Sequence, residues 1–288
     1  MTAFFNALLE YSFLQTAVIA ALLASIGCGV MGSYIVVKRM AFIAGGIAHS
    51  VLGGMGAAIY YGFDPLLGAL LAAIIAALLI GSIRLYWQAQ EDTLIGALWA
   101  IGMAIGILFI AKTPGYQSEL MDYLFGNILL VPPQSLWFML LLDIALLVII
   151  GRYQQQFLAV VFDEEFARLR GVAVPFFYLL LLVLIAVTVV LLIQVVGLIL
   201  VLALLTLPAA IAGHYVQSLG RMMLLATLLG SFISVSGLAL SYQPNLPSGP
   251  IIILLAGALY VASALLRQLW QKRRAYQHVR HLKEKPDA

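Results

Sequence analysis

One histidine lies inside an apolar stretch long enough to cross a membrane, and it is the residue in this stretch best suited to chemistry. His49 is surrounded by small residues, which are Gly45, Gly46, Ser50, Gly53 and Gly54. An ionisable side chain at that depth is costly and usually functional, and a neutral imidazole is a common metal ligand. The residue types therefore predict either a metal position on an ion pathway or a neutral histidine hydrogen-bonded within a helix bundle.

The small residues around this histidine form two stripes on one predicted helix. Two sets recur at every fourth residue: Gly46, Ser50 and Gly54, and beside them Gly45, His49 and Gly53. Such stripes let helix backbones approach closely. We therefore assign the small residues mainly to helix packing near the pathway, and to lining the pathway in second place.

The elements that position His49 must be membrane helices. Hydrophobic residues make up 64% of the 288-residue chain and charged residues 9%, and the mean hydropathy is +1.09. A soluble core with a solvated surface does not have that composition. Because about 20 apolar residues span the hydrocarbon core, we predict an all-α, polytopic bundle of about nine transmembrane helices. The predicted spans are 12–37, 40–61, 65–83, 93–111, 135–151, 174–193, 195–213, 222–240 and 251–267. The apolar stretch 120–131 is too short to cross and predicts a re-entrant or interfacial helix.

The cationic residues orient this bundle, since Lys and Arg collect on the cytoplasmic side. If the first span runs inward, every Lys and Arg except Lys112 falls on the inner side. We therefore predict a prokaryotic plasma (inner) membrane protein with its N-terminus outside and its C-terminus in the cytoplasm. The pI near 9.0 then reflects topology, and nucleic-acid binding is not predicted. Residues 268–288 are predicted to form a basic cytoplasmic tail in contact with anionic lipid headgroups.

One cytoplasmic segment, 162–171, has the pattern of a short amphipathic helix. Phe162, Phe166 and Leu169 share one face. The other residues favour a capped helix, with acids in the first turn, arginines in the last and a glycine stop: Asp163, Glu164, Glu165, Arg168, Arg170 and Gly171. Glu164 and Arg168 are also spaced for an i,i+4 ion pair. The segment suits a groove on a partner protein or, equally on these residues alone, a lipid surface.

Several motifs in the chain, taken together, resemble the transmembrane permeases of the zinc, manganese and iron ABC importers, the ABC-3 type. The matching stretches are Gly32 to Phe42, Ala48-His49-Ser50, Asp92 to Gly96, Leu120 to Asn127, Val196 to Val201, Leu207 to Ala210 and Pro247 to Pro250. The resemblance implies a permease domain over 1–267 that pairs with a second copy of itself. It also implies a cytoplasmic ABC ATPase, which binds the ATP and docks on 162–171 as the coupling helix, and an extracytoplasmic metal-binding protein. The chain itself would be no enzyme and would hold no tight cofactor, the divalent metal being its cargo. This agrees with the lack of a phosphate-binding loop motif in the sequence.

The resemblance leaves the metal ligands incomplete. Gly45 stands where relatives commonly carry an aspartate one helical turn before the histidine, and Ala100 and Asn245 replace a histidine and an aspartate of some zinc-type relatives. His49 remains as a transit ligand, which a symmetric dimer presents twice. Weak binding of this kind suits conduction, because a tight site traps the ion.

Acidic residues supply the other candidate ligands. Asp122 is a candidate metal ligand near the outer ends of the spans, where Asp64, Glu119 and Asn127 also offer oxygens; solvation alone is the alternative for such loop acids. Asp143 lies in the middle of a predicted span, where a carboxylate is costly unless it has a partner or a function. Either a structural hydrogen bond to a neighbouring helix or a metal or proton site would explain it.

Three other functions stay open on the sequence. A permease for a metal chelate or vitamin shares the same architecture, a proton-coupled carrier would use Asp143, and a membrane scaffold would transport nothing. The choice among zinc, manganese and iron also stays open, because imidazole suits several of these metals.

Overall fold

The computed structural model describes residues 2–86, 91–113, 126, 128–244 and 246–283. Within these residues the regular structure is helical and no strand occurs, which confirms the predicted all-α class. The helices are α1 (Thr2–Glu10), α2 (Ser12–Val37), α3 (Ala41–Tyr61), α4 (Pro65–Tyr86), α5 (Glu91–Lys112), α6 (Pro133–Arg152), α7 (Gln154–Phe162), α8 (Glu164–Leu169), α9 (Val174–Val196), α10 (Leu198–Tyr215), α11 (Leu219–Tyr242) and α12 (Ser248–Lys283). A short 3-10 helix, Ile128–Leu130, precedes α6. The rest of the predicted interfacial stretch, 120–125 and 127, lies outside the described residues.

Nine helices of the described part are long and apolar enough to cross a membrane, and they are α2 to α6 and α9 to α12. Their membrane-length portions contain 18 to 26 residues. At ~1.5 Å rise per residue, these lengths match the roughly 30 Å of hydrocarbon that a span must cross. The predicted number of spans is therefore confirmed.

Helix α2 lies at the centre of the bundle and packs against α6, α10 and α11. Small residues make this close packing possible. Gly29 lies against Thr227 of α11 and Gly32 against Leu205 of α10, and a methyl group at either glycine would overlap backbone atoms. The apolar side chains of α2 that face the bundle are almost fully buried, as in Met31 and Tyr34.

A residue with left-handed backbone follows the end of three helices. These residues are Arg39 (φ 59°) after α2, Gly62 (φ 74°) after α3 and Gly171 (φ 75°) after α8. After α2, the N–H of Met40 donates to the carbonyl of Ile35 at 2.8 Å. This hydrogen bond satisfies a carbonyl that the last turn of the helix leaves free. The tight turn lets α3 begin directly at the end of α2.

A single residue, Gly197, separates the membrane helices α9 and α10. Its φ of 79° and ψ of 157° fall in a region that is essentially restricted to glycine. Gly126 (φ 64°) packs against the backbone of Val196 and Gly197 so closely that it has no room for a side chain. The connection between these two spans therefore depends on two glycines.

The segment 162–171 differs from the prediction of one helix starting at Phe162. Phe162 is the last residue of α7, and Asp163 has an extended backbone (φ −151°, ψ 98°) before α8 begins at Glu164. The physical reason is capping: the Asp163 carboxylate accepts a hydrogen bond from the Phe166 N–H at 2.9 Å, and a capping residue needs a non-helical backbone. We call Phe162 to Gly171 the docking segment below.

The last helix, α12, continues without a break from Ser248 to Lys283, and its membrane-length part ends at Lys272. The division of the chain into a permease domain over 1–267 and a tail over 268–288 stays a prediction.

Candidate functional site

The helix that carries His49, α3, packs between α4 and α5. Glycines supply both contacts. Towards α5, a methyl group added at Gly53 would lie 2.9 Å from the Gly102 carbonyl oxygen, and one added at Gly46 would lie 2.5 Å from Ile95 Cγ2. Towards α4, Gly54 lies directly against the backbone of its partner helix. The small residues of α3 therefore pack the backbones of three helices together around His49.

Helices α3 and α5 run in the same direction, because residue numbers along their contact rise together. Gly46 meets Ile95, and Gly53 meets Gly102 about two turns further on. Between these levels the Ser50 hydroxyl donates to the Gly46 carbonyl at 2.8 Å and lies 3.4 Å from the Leu98 carbonyl. This register fixes which side chain of α5 faces His49.

The side chain that faces His49 is Trp99. The two rings are stacked, with centroids 4.0 Å apart and an angle of 13° between their planes. The indole N–H of Trp99 donates to the Met103 sulfur at 3.2 Å, and the centroid of the Phe42 ring lies 6.0 Å from that of Trp99. Both stacked residues are partly buried. On this helix the sequence pointed to Ala100 and gave no sign of Trp99, since no sequence motif marks an aromatic partner 50 positions away.

Gly45 completes this arrangement. A Cβ at this position would lie 3.2 Å from Cζ3 of Trp99 and 3.7 Å from its Cη2. The indole therefore occupies the space beside the backbone one turn before His49. Within the described ranges, no group of three or more His, Cys, Asp or Glu side chains is arranged to hold a metal ion.

Of the acidic candidates, the structure describes Asp64 and Asp143. Asp122, Glu119 and Asn127 lie outside the described residues. The Asp64 carboxylate accepts hydrogen bonds from the Leu66 and Leu67 N–H groups, at 2.8 and 3.1 Å, and so caps the start of α4.

Asp143 lies on α6, where its side chain is 5% exposed. Its Oδ1 faces Gly27 of α2, at 3.1 Å from the position of an added Cβ. Its Oδ2 is buried and accepts no hydrogen bond from the residues that the structure describes. Asp143 therefore sits between α6 and the central helix, away from the contact between α3 and α5.

The docking segment presents an apolar surface outwards. Phe162 is 64% exposed, Phe166 is 48% exposed and Leu169 is 87% exposed, whereas Ala167 on the opposite side of α8 is fully buried. The Arg170 guanidinium lies over the Phe166 ring, 5.0 Å from its centroid.

Lys38 fastens this segment to the central helix. Its ammonium donates to the Glu164 carboxylate at 2.6 Å and to the Val160 carbonyl at 2.9 Å. Val160 is in the last turn of α7, where backbone carbonyls need outside donors. The predicted ion pair between Glu164 and Arg168 is therefore wrong. Glu164 points to Lys38, because the buried ammonium needs an acid and Arg168 is exposed.

A second cluster, which the sequence analysis missed, lies at the same end of the bundle. The Ser263 hydroxyl lies 3.0 Å from His214 Nδ1 and donates to the Tyr215 hydroxyl at 3.1 Å, which joins α12 to α10. A cavity of about 400 Å³ beside it is lined by residues that include Phe162 and His214. These residues carry no recognisable motif, and only the packing of α10 against α12 brings them together.

This geometry defines the chain as a multi-pass membrane protein with a glycine-packed helix core and an exposed apolar surface on residues 162–171. The sequence profile of the ABC 3 transport family matches residues 10–267. The chain belongs to this family, and the family resemblance stated above is confirmed.

Individual relatives agree over nearly the whole chain. A Chlamydia trachomatis protein, named a probable metal transport system membrane protein, is 43% identical over 88% of this chain and 88% of its own length. The manganese transport system membrane protein MntC of Halalkalibacterium halodurans is 34% identical over 96% of this chain and 97% of its own length. The solved structure of PsaBC from Streptococcus pneumoniae in complex with Fab has a chain with a TM-score of 0.83 and 34% identity. That alignment covers 91% of this chain and 95% of the solved one.

Proposed function

We propose that this chain is the membrane-spanning permease subunit of an ATP-driven importer for a divalent transition metal. Two copies form the pathway, a separate cytoplasmic ABC ATPase hydrolyses ATP, and an extracytoplasmic binding protein delivers the ion. The chain lies in the plasma (inner) membrane with its N-terminus outside and its C-terminus in the cytoplasm. Family membership and the metal-transport names of two relatives support this proposal.

The observation that carries the proposal is the exposed apolar surface of the docking segment. Phe162, Phe166 and Leu169 stay outside the bundle, although exposing apolar side chains to water is unfavourable. Lys38 and Glu164 lie on the cation-rich side and tie this surface to α2, so a partner bound there is mechanically connected to the central helix. A cytoplasmic protein with an apolar groove fits the surface, and an ATPase subunit is the partner that an ATP-driven importer requires.

His49 is proposed to line the ion path. Its imidazole lies at the contact of α3 with α5, stacked on Trp99. In a symmetric dimer the second copy supplies the same group. Two weak nitrogen ligands allow the ion to bind and leave again.

The test of the docking surface is a pair of matched variants in the purified chain. Leu169→Asp places a charge on the docking segment without disturbing the core, since Leu169 is 87% exposed. Leu9→Asp is the control, because Leu9 is 82% exposed but lies near the predicted outer end. We expect Leu169→Asp to lose co-purification with the ATPase partner and to keep the wild-type melting temperature, and Leu9→Asp to keep both. Wild-type ATPase binding by Leu169→Asp contradicts the proposal.

A further inference from the structure

The position of α8, the short helix of the docking segment, depends on contacts outside the helix itself. It has six residues, Glu164–Leu169, and a helix this far below ~12 residues is not stable on its own. Asp163 before it has an extended backbone (φ −151°, ψ 98°), and Gly171 after it has a left-handed one (φ 75°). Neither end continues a neighbouring helix, so α8 keeps its position only through its contacts with the bundle.

The preceding helix, α7, is fixed by aromatic packing. Its Phe157 side chain is fully buried. The centroid of the Phe157 ring lies 5.9 Å from that of Tyr34 on α2 and 5.6 Å from that of Phe177 on α9. Aromatic contacts at these distances are favourable beyond the area that they bury. Helix α7 therefore belongs to the bundle, and the break at Asp163 separates it from α8.

Lys38 bridges this break with one ammonium group. The ammonium donates to the Val160 carbonyl in the last turn of α7, at 2.9 Å, and to the Glu164 carboxylate at the start of α8, at 2.6 Å. A lysine ammonium carries three donors, so it serves both helices at once. The Lys38 side chain is 11% exposed, and charge-assisted hydrogen bonds of this kind are stronger than neutral ones. Lys38 thus holds α8 at a fixed angle to α7.

The backbone of Lys38 is part of the turn that connects two membrane helices. It is the first residue after α2, and its N–H donates to the Tyr34 carbonyl at 3.0 Å. The next hydrogen bond of the turn joins the Met40 N–H to the Ile35 carbonyl at 2.8 Å, and α3 begins at Ala41. The side chain that holds α8 therefore starts from the point where α2 passes into α3.

We propose that Lys38 is a positioning residue for transport, which transmits the displacement of α8 by a bound ATPase subunit to the turn between α2 and α3. The inference rests on the proposed function and goes beyond it, because docking needs only the exposed apolar surface. Without Lys38, the ATPase subunit still docks on α8, but α8 moves at Asp163 and leaves α2 and α3 in place. ATP hydrolysis then continues with little transport.

The experiment measures the number of cations accumulated per ATP hydrolysed. Proteoliposomes contain the chain with its ATPase and binding-protein partners, and the cation is the one of zinc, manganese and ferrous iron that the wild type accumulates most. We expect Lys38→Met to lower this ratio about fivefold or more, the lower end of typical couplings between two sites. Arg221→Met is the control, since Arg221 is exposed on the same predicted side, and it should keep the wild-type ratio.

Glu164→Gln shows whether the effect passes through the contact with α8. The glutamine oxygen still accepts a hydrogen bond but carries no charge, so this variant should lower the ratio less than Lys38→Met does. In the Lys38→Met background, Glu164→Gln should have no further effect, because the contact is already lost. A further loss of similar size in that background contradicts the proposed route.

A measurement on the chain alone in detergent keeps the test decisive if Lys38→Met assembles poorly with its partners. Cys28 is 2% exposed, so a spin label attaches selectively to a cysteine introduced at an exposed position. The two positions are Glu165→Cys on α8 and, as the control, Gln155→Cys on α7. We expect Lys38→Met to make the label at position 165 more mobile and to leave the label at position 155 unchanged.

The outcomes separate the two proposals. A wild-type ratio of cations to ATP in Lys38→Met overturns the role of Lys38 and leaves the permease function standing. Unchanged mobility at position 165, or an equal gain at both labelled positions, also overturns it. No ATP-dependent uptake of any of the three cations by the wild type, in a complex that hydrolyses ATP, overturns the proposed function itself.

Discussion

The ion pair between Lys38 and Glu164 should carry measurable free energy, because it joins the central helix to the docking segment. The Lys38 side chain is 11% exposed and the Glu164 side chain is 33% exposed, and their charged atoms are 2.6 Å apart. We consider the variants Lys38→Met and Glu164→Gln and the double variant. Removing Lys38 also leaves the Val160 carbonyl without its donor, so the single substitutions differ and only a double-mutant cycle isolates the pair.

The partial burial sets the expected magnitude. Exposed ion pairs contribute ~0.2–1 kcal/mol, and breaking a fully buried pair costs ~3–5 kcal/mol. This pair has one buried and one partly exposed partner, and a charge-assisted hydrogen bond contributes ~1.5–3 kcal/mol. We therefore expect a coupling energy of about 1.5 kcal/mol, close to a tenfold change in the equilibrium constant.

The assay is the apparent free energy of unfolding of the purified chain in mixed detergent micelles, measured by denaturant titration. Glu165→Gln supplies the control, since Glu165 neighbours Glu164 in sequence and its side chain is exposed. We expect the changes in unfolding free energy caused by Lys38→Met and Glu165→Gln to add within ~0.3–0.5 kcal/mol. The changes caused by Lys38→Met and Glu164→Gln should depart from additivity by the coupling energy of about 1.5 kcal/mol. Additive effects for both pairs would refute this account of how the docking segment is held.

Four substitutions test the glycine and turn geometry by thermal unfolding in detergent. Gly53→Ala should destabilise the chain by ~1–3 kcal/mol, because its Cβ would lie 2.9 Å from the Gly102 carbonyl oxygen. The Cβ of Gly96→Ala on α5 would meet no atom within 4 Å, so this control should be neutral or stabilising. If Gly96→Ala and Gly53→Ala lower the stability equally, the described packing of α3 on α5 is contradicted. Gly197→Ala should cost ~1–3 kcal/mol from backbone strain, and a wild-type melting temperature would show that the turn accepts other residues. Arg39→Gly should leave stability unchanged or raise it by up to ~1–2 kcal/mol, because Arg39 has a positive φ; a lower melting temperature contradicts this.

The architecture was predictable because each membrane-spanning helix is marked by a local run of apolar residues. A span needs about 20 apolar residues, and most predicted spans, such as 65–83, fall within a helix that the structure shows, such as Pro65–Tyr86. The span predicted over 195–213 is the main exception, because it begins in α9 and crosses the break at Gly197. The end of the short helix at Gly171 was also predictable, since a glycine after a cationic last turn favours a left-handed helix end.

The contacts between helices were not predictable from local patterns. Lys38 and Glu164 are 126 positions apart, and helical spacing alone pointed to Arg168 as the partner of Glu164. Trp99 meets His49 only because Gly46 and Gly53 set the register between α3 and α5. Hydropathy indicates which segments lie in the membrane, but it does not give the rotation of a helix that is apolar on all sides.

This chain, together with its partners, is proposed to move a free divalent cation at the expense of ATP. The most direct test is uptake of zinc, manganese and ferrous iron into proteoliposomes that contain the chain with its ATPase and binding-protein partners, with and without ATP. We predict ATP-dependent accumulation of at least one of these cations, reduced when His49 is replaced by alanine and the metal is limiting. No uptake of any free cation by a complex that still hydrolyses ATP would contradict the account and favour a metal chelate or vitamin as the cargo.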